Sequence, residues 1–307
     1  MERIYFDPQK DGFYGAYYRC PQPGSAAIIA MLGDSIDDYM ARGGVWWLHQ
    51  QGVHVLTMSP APKNYSHHDL PLERFGAAIA WLQGQGIRRI GVLGASTTGM
   101  LALIAASYYP QLTLTIGLSP SDFVMEGFYQ ENGVERPGDH ESTVSWQGQP
   151  LPYLPFCYRH PQYWQELKQE AKSGGNMIAS REMFNRSELL HPIQEEEYIR
   201  AENIHGTVVL VGAEDDCLWD TCRYIRRMQH RLEGLPHDCR CIPLLYEHGT
   251  HFVFPQRMLT HLLPVGSGLL VRAAFRAGRQ FPKECLAARQ DIDRRISGII
   301  REWSAGV

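Results

Sequence analysis

Ser96 lies in Gly91-Val92-Leu93-Gly94-Ala95-Ser96-Thr97-Thr98-Gly99-Met100-Leu101, where an apolar run meets a glycine-bracketed serine and then an alanine-rich apolar run. A sharp turn from strand to helix lifts such a hydroxyl clear of its neighbours and aims the first helical N–H groups at an arriving oxygen. With a base to take its proton, the serine becomes a nucleophile. Candidates for the rest of that chemistry come later, as Asp215-Asp216 in Gly212-Ala213-Glu214-Asp215-Asp216-Cys217-Leu218-Trp219 and as His248 and His251 in Glu247-His248-Gly249-Thr250-His251. In that division of labour, an imidazole accepts the serine proton and a carboxylate holds the imidazole in the right tautomer. Taken singly, each signal also describes something plainer: a helix cap, a turn, or any of thirteen histidines. The spacing departs from the usual Gly-x-Ser-x-Gly as well, because Thr98 stands two residues after Ser96 and glycine is displaced to Gly99.

The elements around these residues give them a common location. Apolar or β-branched runs predict strands at 3–6, 13–20, 25–32, 53–58, 89–95, 112–118, 207–212 and 239–246, several of them apolar throughout, as strands covered on both faces are. Helical spacing predicts helices at 37–51, from Leu72 to Gly84 or Gly86, after Ser96, at 220–233, and one or two amphipathic helices in the last forty residues with Ile292, Ile296, Ile299 and Ile300 on one stripe. The alternation predicts an α/β fold, a mostly parallel central sheet with helices on both faces, whose functional loops gather at the carboxyl ends of the strands. Serine after one strand, acid after a later strand and histidine after the next is the triad order of the α/β-hydrolase fold. The acceptor for developing negative charge is expected from the backbone of Thr97 and of Asp34 or Ser35, in the loop after the early buried strand.

Between 122 and 203 the rhythm breaks. This stretch is rich in Pro, Gly, Tyr and Trp, has helical signals near 163–172 and 180–185, and lacks a clear buried strand. It is read as a lid-like insertion within a single domain spanning 1–307. Phe123, Phe128, Trp146, Tyr153, Phe156 and Trp164 are expected to cover the site and line an apolar pocket.

Composition narrows the partners. The formal net charge is −4 with Lys and Arg scattered, so neither nucleic acid nor an anionic membrane is expected; a small-molecule ester or thioester is. Seven cysteines without a Cys-x-x-Cys pair predict neither a disulfide framework nor a zinc ribbon and suit a reducing compartment. The first residues have no apolar signal-like region and no apolar run approaches the ~18 residues of a membrane span, so a cytoplasmic location is expected. Metal chemistry is the main rival among enzyme readings, but His248 with His251, and His237 with Cys239 and Cys241, do not fall in a recognised ligand spacing. No metal and no organic cofactor is expected.

Gly94-Ala95-Ser96 with its following helix, Leu118-Ser119-Pro120-Ser121, Pro150-Leu151-Pro152-Tyr153-Leu154-Pro155, Asp215-Asp216-Cys217-Leu218-Trp219 and His251-Phe252-Val253-Phe254-Pro255 resemble the catalytic domain of acyl-CoA thioesterases and bile acid-CoA:amino acid N-acyltransferases. The resemblance runs from about Ser25 to Pro255. It implies an α/β-hydrolase fold, acyl transfer from a thioester through an acyl-enzyme, and a triad of Ser96, Asp216 and His251. Larger members carry an N-terminal β-sandwich domain, whereas about two dozen residues precede the core sheet here. Amino-acid-conjugating members use a cysteine nucleophile, so Ser96 points to hydrolysis. For the acid, counting from Gly212 favours Asp215, and counting back from the bulky anchor Trp219 favours Asp216; Asp216 is preferred, with Asp215 as an exposed neighbour whose loss costs little. Alternatives are a carboxylesterase or peptidase of the same fold, or an acyl-binding or scaffold protein whose elbow Thr98 has spoiled.

Overall fold

Strands β1 (Arg3–Phe6), β2 (Gly15–Tyr18), β3 (Ala26–Met31), β4 (His54–Met58), β5 (Arg89–Ala95), β6 (Leu112–Leu118), β7 (Thr207–Ala213) and β8 (Arg240–Tyr246) form one eight-stranded sheet in the computed structural model. It describes residues 3–22, 24–60, 67–131, 134–156, 169 and 180–306. The helical signal at 163–172, apart from one residue, and Trp164 fall outside those residues. The spatial order is β1-β2-β4-β3-β5-β6-β7-β8. β2 runs antiparallel to both neighbours and every other pairing is parallel. This is the α/β-hydrolase arrangement anticipated from the alternation of apolar runs.

Helices α1 (Tyr39–His49), α2 (Glu73–Gly84), α3 (Thr97–Tyr108), α4 (Arg181–Leu190), α5 (Thr221–Gly234), α6 (Gln256–Leu262), α7 (Ser267–Ala274), α8 (Arg276–Gln280) and α9 (Pro282–Ala305) follow in chain order. Alternate residues of the strands point to opposite faces, so Ala27, Ile29, Met31, Ile90 and Val92 pack with α2, α3 and α5. Ile28, Leu93, Ile116 and Val209 pack with α1, α6 and α9 on the other side. α3 is buried from Thr97 to Ala106, which is why its sequence shows no polar face. In α9 the predicted stripe holds for Ile292, Ile296 and Ile300, each fully buried, while Ile299 is half-buried at its margin. The chain's last part forms three helices rather than one or two, because Phe275 takes extended backbone angles and Phe281 breaks the helix again.

The region after β6 carries strands that the sequence did not announce. Glu126–Glu131 and Val134–Ser142 form an antiparallel hairpin, and Val144–Trp146 pairs in parallel with Leu70–Pro71 and antiparallel with Gln149–Pro150. These lie outside the main sheet. Their residues are mostly polar and include Pro137, paired with Phe128 beside a register shift, so neither an apolar run nor a clean alternation marks them. Both ends of the region are held to α5: Arg227 grips Asp122 at 2.6 and 2.7 Å and Glu188 at 2.6 Å, and Arg231 grips Glu202 at 2.6 Å. Among the described residues, no helix is long and apolar enough to cross a membrane.

Candidate active site

Ser96 stands at the β5-to-α3 junction with φ 60° and ψ −128°, a backbone conformation that L-residues avoid, and its own N–H is anchored to the Leu118 carbonyl at 2.7 Å. Holding a residue there costs about 1–3 kcal/mol, so the surroundings must over-determine it. They do so through Gly94 and Thr98. A Cβ on Gly94 would fall 1.9 Å from the Thr98 carbonyl oxygen, which makes glycine the residue that fits the crossing of strand and helix. The Thr98 hydroxyl accepts the Ala95 N–H at 2.9 Å and lies 2.6 Å from the Met31 carbonyl and 2.8 Å from that of Ala95. Having one proton, it donates to one of those carbonyls at a time. The threonine at the position where glycine is usual therefore ties the elbow to β3. Removing the hydroxyl while keeping the shape, as in Thr98→Val, should lower stability by about 1–3 kcal/mol because buried backbone groups lose their partner. A thermal melt checks this; an unchanged midpoint would deny the tie.

The acid and histidine loops converge beside this turn. His251 Nδ1 lies 2.8 and 3.0 Å from the two carboxylate oxygens of Asp216, which is buried and also accepts the Leu218 N–H at 2.9 Å and the Thr221 hydroxyl. Trp219 stands edge-on to the His251 ring, with centroids 4.9 Å apart, and fixes its plane. The other ring nitrogen, His251 Nε2, is buried without a hydrogen-bond partner among the described residues. His251 and Ser96 line one cavity.

Asp215 has a different task. Its carboxylate accepts the N–H groups of Gly249 and Thr250 at 3.0 and 2.7 Å and lies 3.2 Å from His248 Nδ1. Thr250 has φ 65°, so Asp215 clamps the strained turn that presents His251. The side chain is 16 % exposed, which corrects the expectation of an exposed neighbour.

The oxyanion expectation needs revision on one side. Asp38 caps α1 and collects three backbone donors, Asp34 at 2.7 Å, Ser35 at 3.1 Å and Ala41 at 2.8 Å. The amides of Asp34 and Ser35 are thus already engaged. Burial and the neighbouring Asp38 raise the Asp34 carboxyl above its ordinary pKa. Gly33, one residue nearer β3, lines the cavity with Thr97, and a Cβ there would meet the Asp38 carboxylate at 2.2 Å.

The cavity has a volume of about 430 Å³, within the range of small-molecule sites, and its walls are mainly apolar: Phe128, Phe156, Phe184, Trp219, Phe252 and Phe254 supply the aromatic surface. Phe128 and Phe156 were expected there. Phe123, Trp146 and Tyr153 were too, but they do not line it: Phe123 packs edge-on against Tyr224 at 5.1 Å, Trp146 sits against Tyr108 and Tyr109, and Tyr153 packs on the core of the α3 face. Those three serve to attach the segment to α3 and α5. The missed residues had one usable signal, the alternation of Phe252 and Phe254 just after His251; Phe184, and Met125, which also lines the cavity, had none.

Neighbouring cysteines do not compete with the serine. Burial, then the charge of Asp216, push the Cys217 thiol up to about 12, so it stays protonated at neutral pH. His237 lies 3.6 Å from the Cys239 sulfur, but among the described residues no three His, Cys, Asp or Glu side chains are grouped to hold a metal.

The model of the BAAT / acyl-CoA thioester hydrolase C-terminal family matches residues 70–261, more than half of the chain. The chain belongs to that family. Ser96, Asp216 and His251 all fall within the matched span, and the resemblance read from the motifs is to the same family. Among solved structures, an esterase of Pyrococcus furiosus is similar at TM-score 0.51 and 13% identity, over 97% of this chain and 94% of that one. An esterase of Pyrobaculum calidifontis is similar at TM-score 0.50 and 13% identity, over 98% of this chain and 85% of that one. At such identity these likenesses speak for the fold. A search of curated proteins found no match.

Proposed function

We propose that this member of a thioester hydrolase family is a serine hydrolase that cleaves acyl thioesters of the acyl-CoA type through an acyl-enzyme on Ser96. The observation that carries the reading is His251, pinned by Asp216 through Nδ1, with an Nε2 that has no partner among the described residues, lining the same cavity as Ser96. In the first half-reaction the Ser96 oxygen attacks the thioester carbonyl while His251 Nε2 takes its proton. The Thr97 and Gly33 amides receive the oxyanion, since those of Asp34 and Ser35 are committed to Asp38. Collapse breaks the carbon–sulfur bond, and the proton on His251 leaves with the thiol. Water, deprotonated by the same nitrogen, then releases the acid and restores Ser96. The segment 122–203 acts as a lid within one domain, with Phe128, Phe156 and Phe184 holding the acyl chain.

A panel of acyl-CoA thioesters and matched oxoesters, read by thiol release and by acid release, tests this. Thioesters with apolar acyl chains are expected to give the higher kcat/KM. A preference of tenfold or more for oxoesters, worth about 1.4 kcal/mol at the transition state, would assign a carboxylesterase instead.

A further inference from the structure

Helices α7, α8 and α9 enclose a second, smaller cavity of about 180 Å³ against the start of α6. It shares no lining residue with the catalytic cavity. Two guanidinium groups, those of Arg272 and Arg289, line it together with Ser267, Gln256 and Cys285, and no aspartate or glutamate among the described residues does.

Arg289 is the telling member. Its side chain is 2% exposed, its Nε donates to Gln256 Oε1 at 2.9 Å, and its Nη1 is buried without a hydrogen-bond partner among the described residues. A guanidinium is charged at any pH at which the protein is folded, and removing it from water is costly unless an opposite charge lies against it. Helix spacing offers Asp293, four residues on. That carboxylate is already spent on Arg257, at 2.8–3.1 Å, on the Trp47 indole N–H at 3.0 Å and on Ser297. Cys285 cannot supply the charge either, because burial, then the negative Asp215, push its thiol up to about 11. Burial accordingly pulls the Arg289 guanidinium below its usual pKa, and the Cys285 thiol only partly counters it.

What remains is an anion from outside. Ser267 and Gly268 open α7 and line the cavity, so first-turn N–H groups, which lack intrahelical acceptors and favour negative charge, border the same space as both guanidiniums. Two forked cations, a hydroxyl and helix-end amides suit a compact tetrahedral anion with several acceptor oxygens. We propose that this cavity is a binding site for a phosphate group, either the free ion or a phosphate monoester, held by Arg289 from within and Arg272 at the rim. Gln256, five residues beyond His251, connects the site to the segment that carries the histidine. The inference does not depend on the acyl chemistry proposed above.

Thermal melts and titration calorimetry on the whole chain test it, with inorganic phosphate and adenosine 3′-phosphate as probes and sodium chloride at equal ionic strength as the control. Wild-type protein is expected to gain about 5 °C at a probe concentration about 100 times the dissociation constant. Arg289→Met should lose that gain while melting no lower than wild type without phosphate, and the exposed Arg272→Gln should bind about tenfold more weakly. Whichever probe binds more tightly names the source of the phosphate group, and either supports the site. If Arg289→Met does not fold, the Arg272→Gln titration decides alone. No phosphate-specific gain in wild type, or an unchanged dissociation constant in Arg272→Gln, would overturn the proposal.

Discussion

Replacing Ser96 with alanine is expected to lower acyl-CoA turnover by about 10⁶-fold, down to the residue that binding and the oxyanion donors alone provide. The melting temperature should stay near that of wild type, since alanine keeps the same backbone and the elbow is held by Gly94, Thr98 and the Leu118 carbonyl rather than by the serine hydroxyl. Thiol-release kinetics and a thermal melt on the same preparation check both halves. Retention of more than about 1% of wild-type kcat would remove Ser96 from the chemistry, because covalent catalysis has no substitute for the oxygen that alanine lacks.

The second large effect separates two adjacent carboxylates. Asp216→Asn should cost about 10⁴-fold in turnover, because an amide beside His251 Nδ1 favours the tautomer that cannot accept the serine proton. Asp215→Asn should behave differently. Its side-chain oxygen still reaches the amides of Gly249 and Thr250 but has lost the charge that strengthens them, so a lower melting temperature and at most about a tenfold loss in turnover are expected. Parallel assays of the two variants give the answer: the larger loss at Asp215 would exchange the roles.

That pair also shows what the sequence could and could not tell. Trp219, from which Asp216 was counted, packs against the imidazole that Asp216 meets, whereas Gly212, from which Asp215 was counted, marks only the end region of β7. The sheet was legible because β3, β5 and β7 carry apolar residues on both faces, as strands covered on both sides do, and β6 keeps an apolar residue at every second position. The hairpin at 126–142 was not, since strands outside the main sheet are free to be polar. Aromatic content in that region was read as pocket when part of it is glue: Phe123 and Trp146 face α5 and α3, and only the tertiary arrangement tells an attaching ring from a lining one. The loop after β3 offered Asp34 and Ser35 as oxyanion donors, but Asp38, four and three residues on, turns back and claims their amides, a contact that spacing alone does not announce.

The proposed nucleophile is tested most directly by covalent labelling. The chain, treated with a fluorophosphonate and analysed by intact mass and peptide mapping, should gain one adduct, located on Ser96, and His251→Ala should slow that gain by at least about 100-fold because the serine loses its base. Wild-type protein that gains no adduct, or gains it on a residue other than Ser96, would contradict the account.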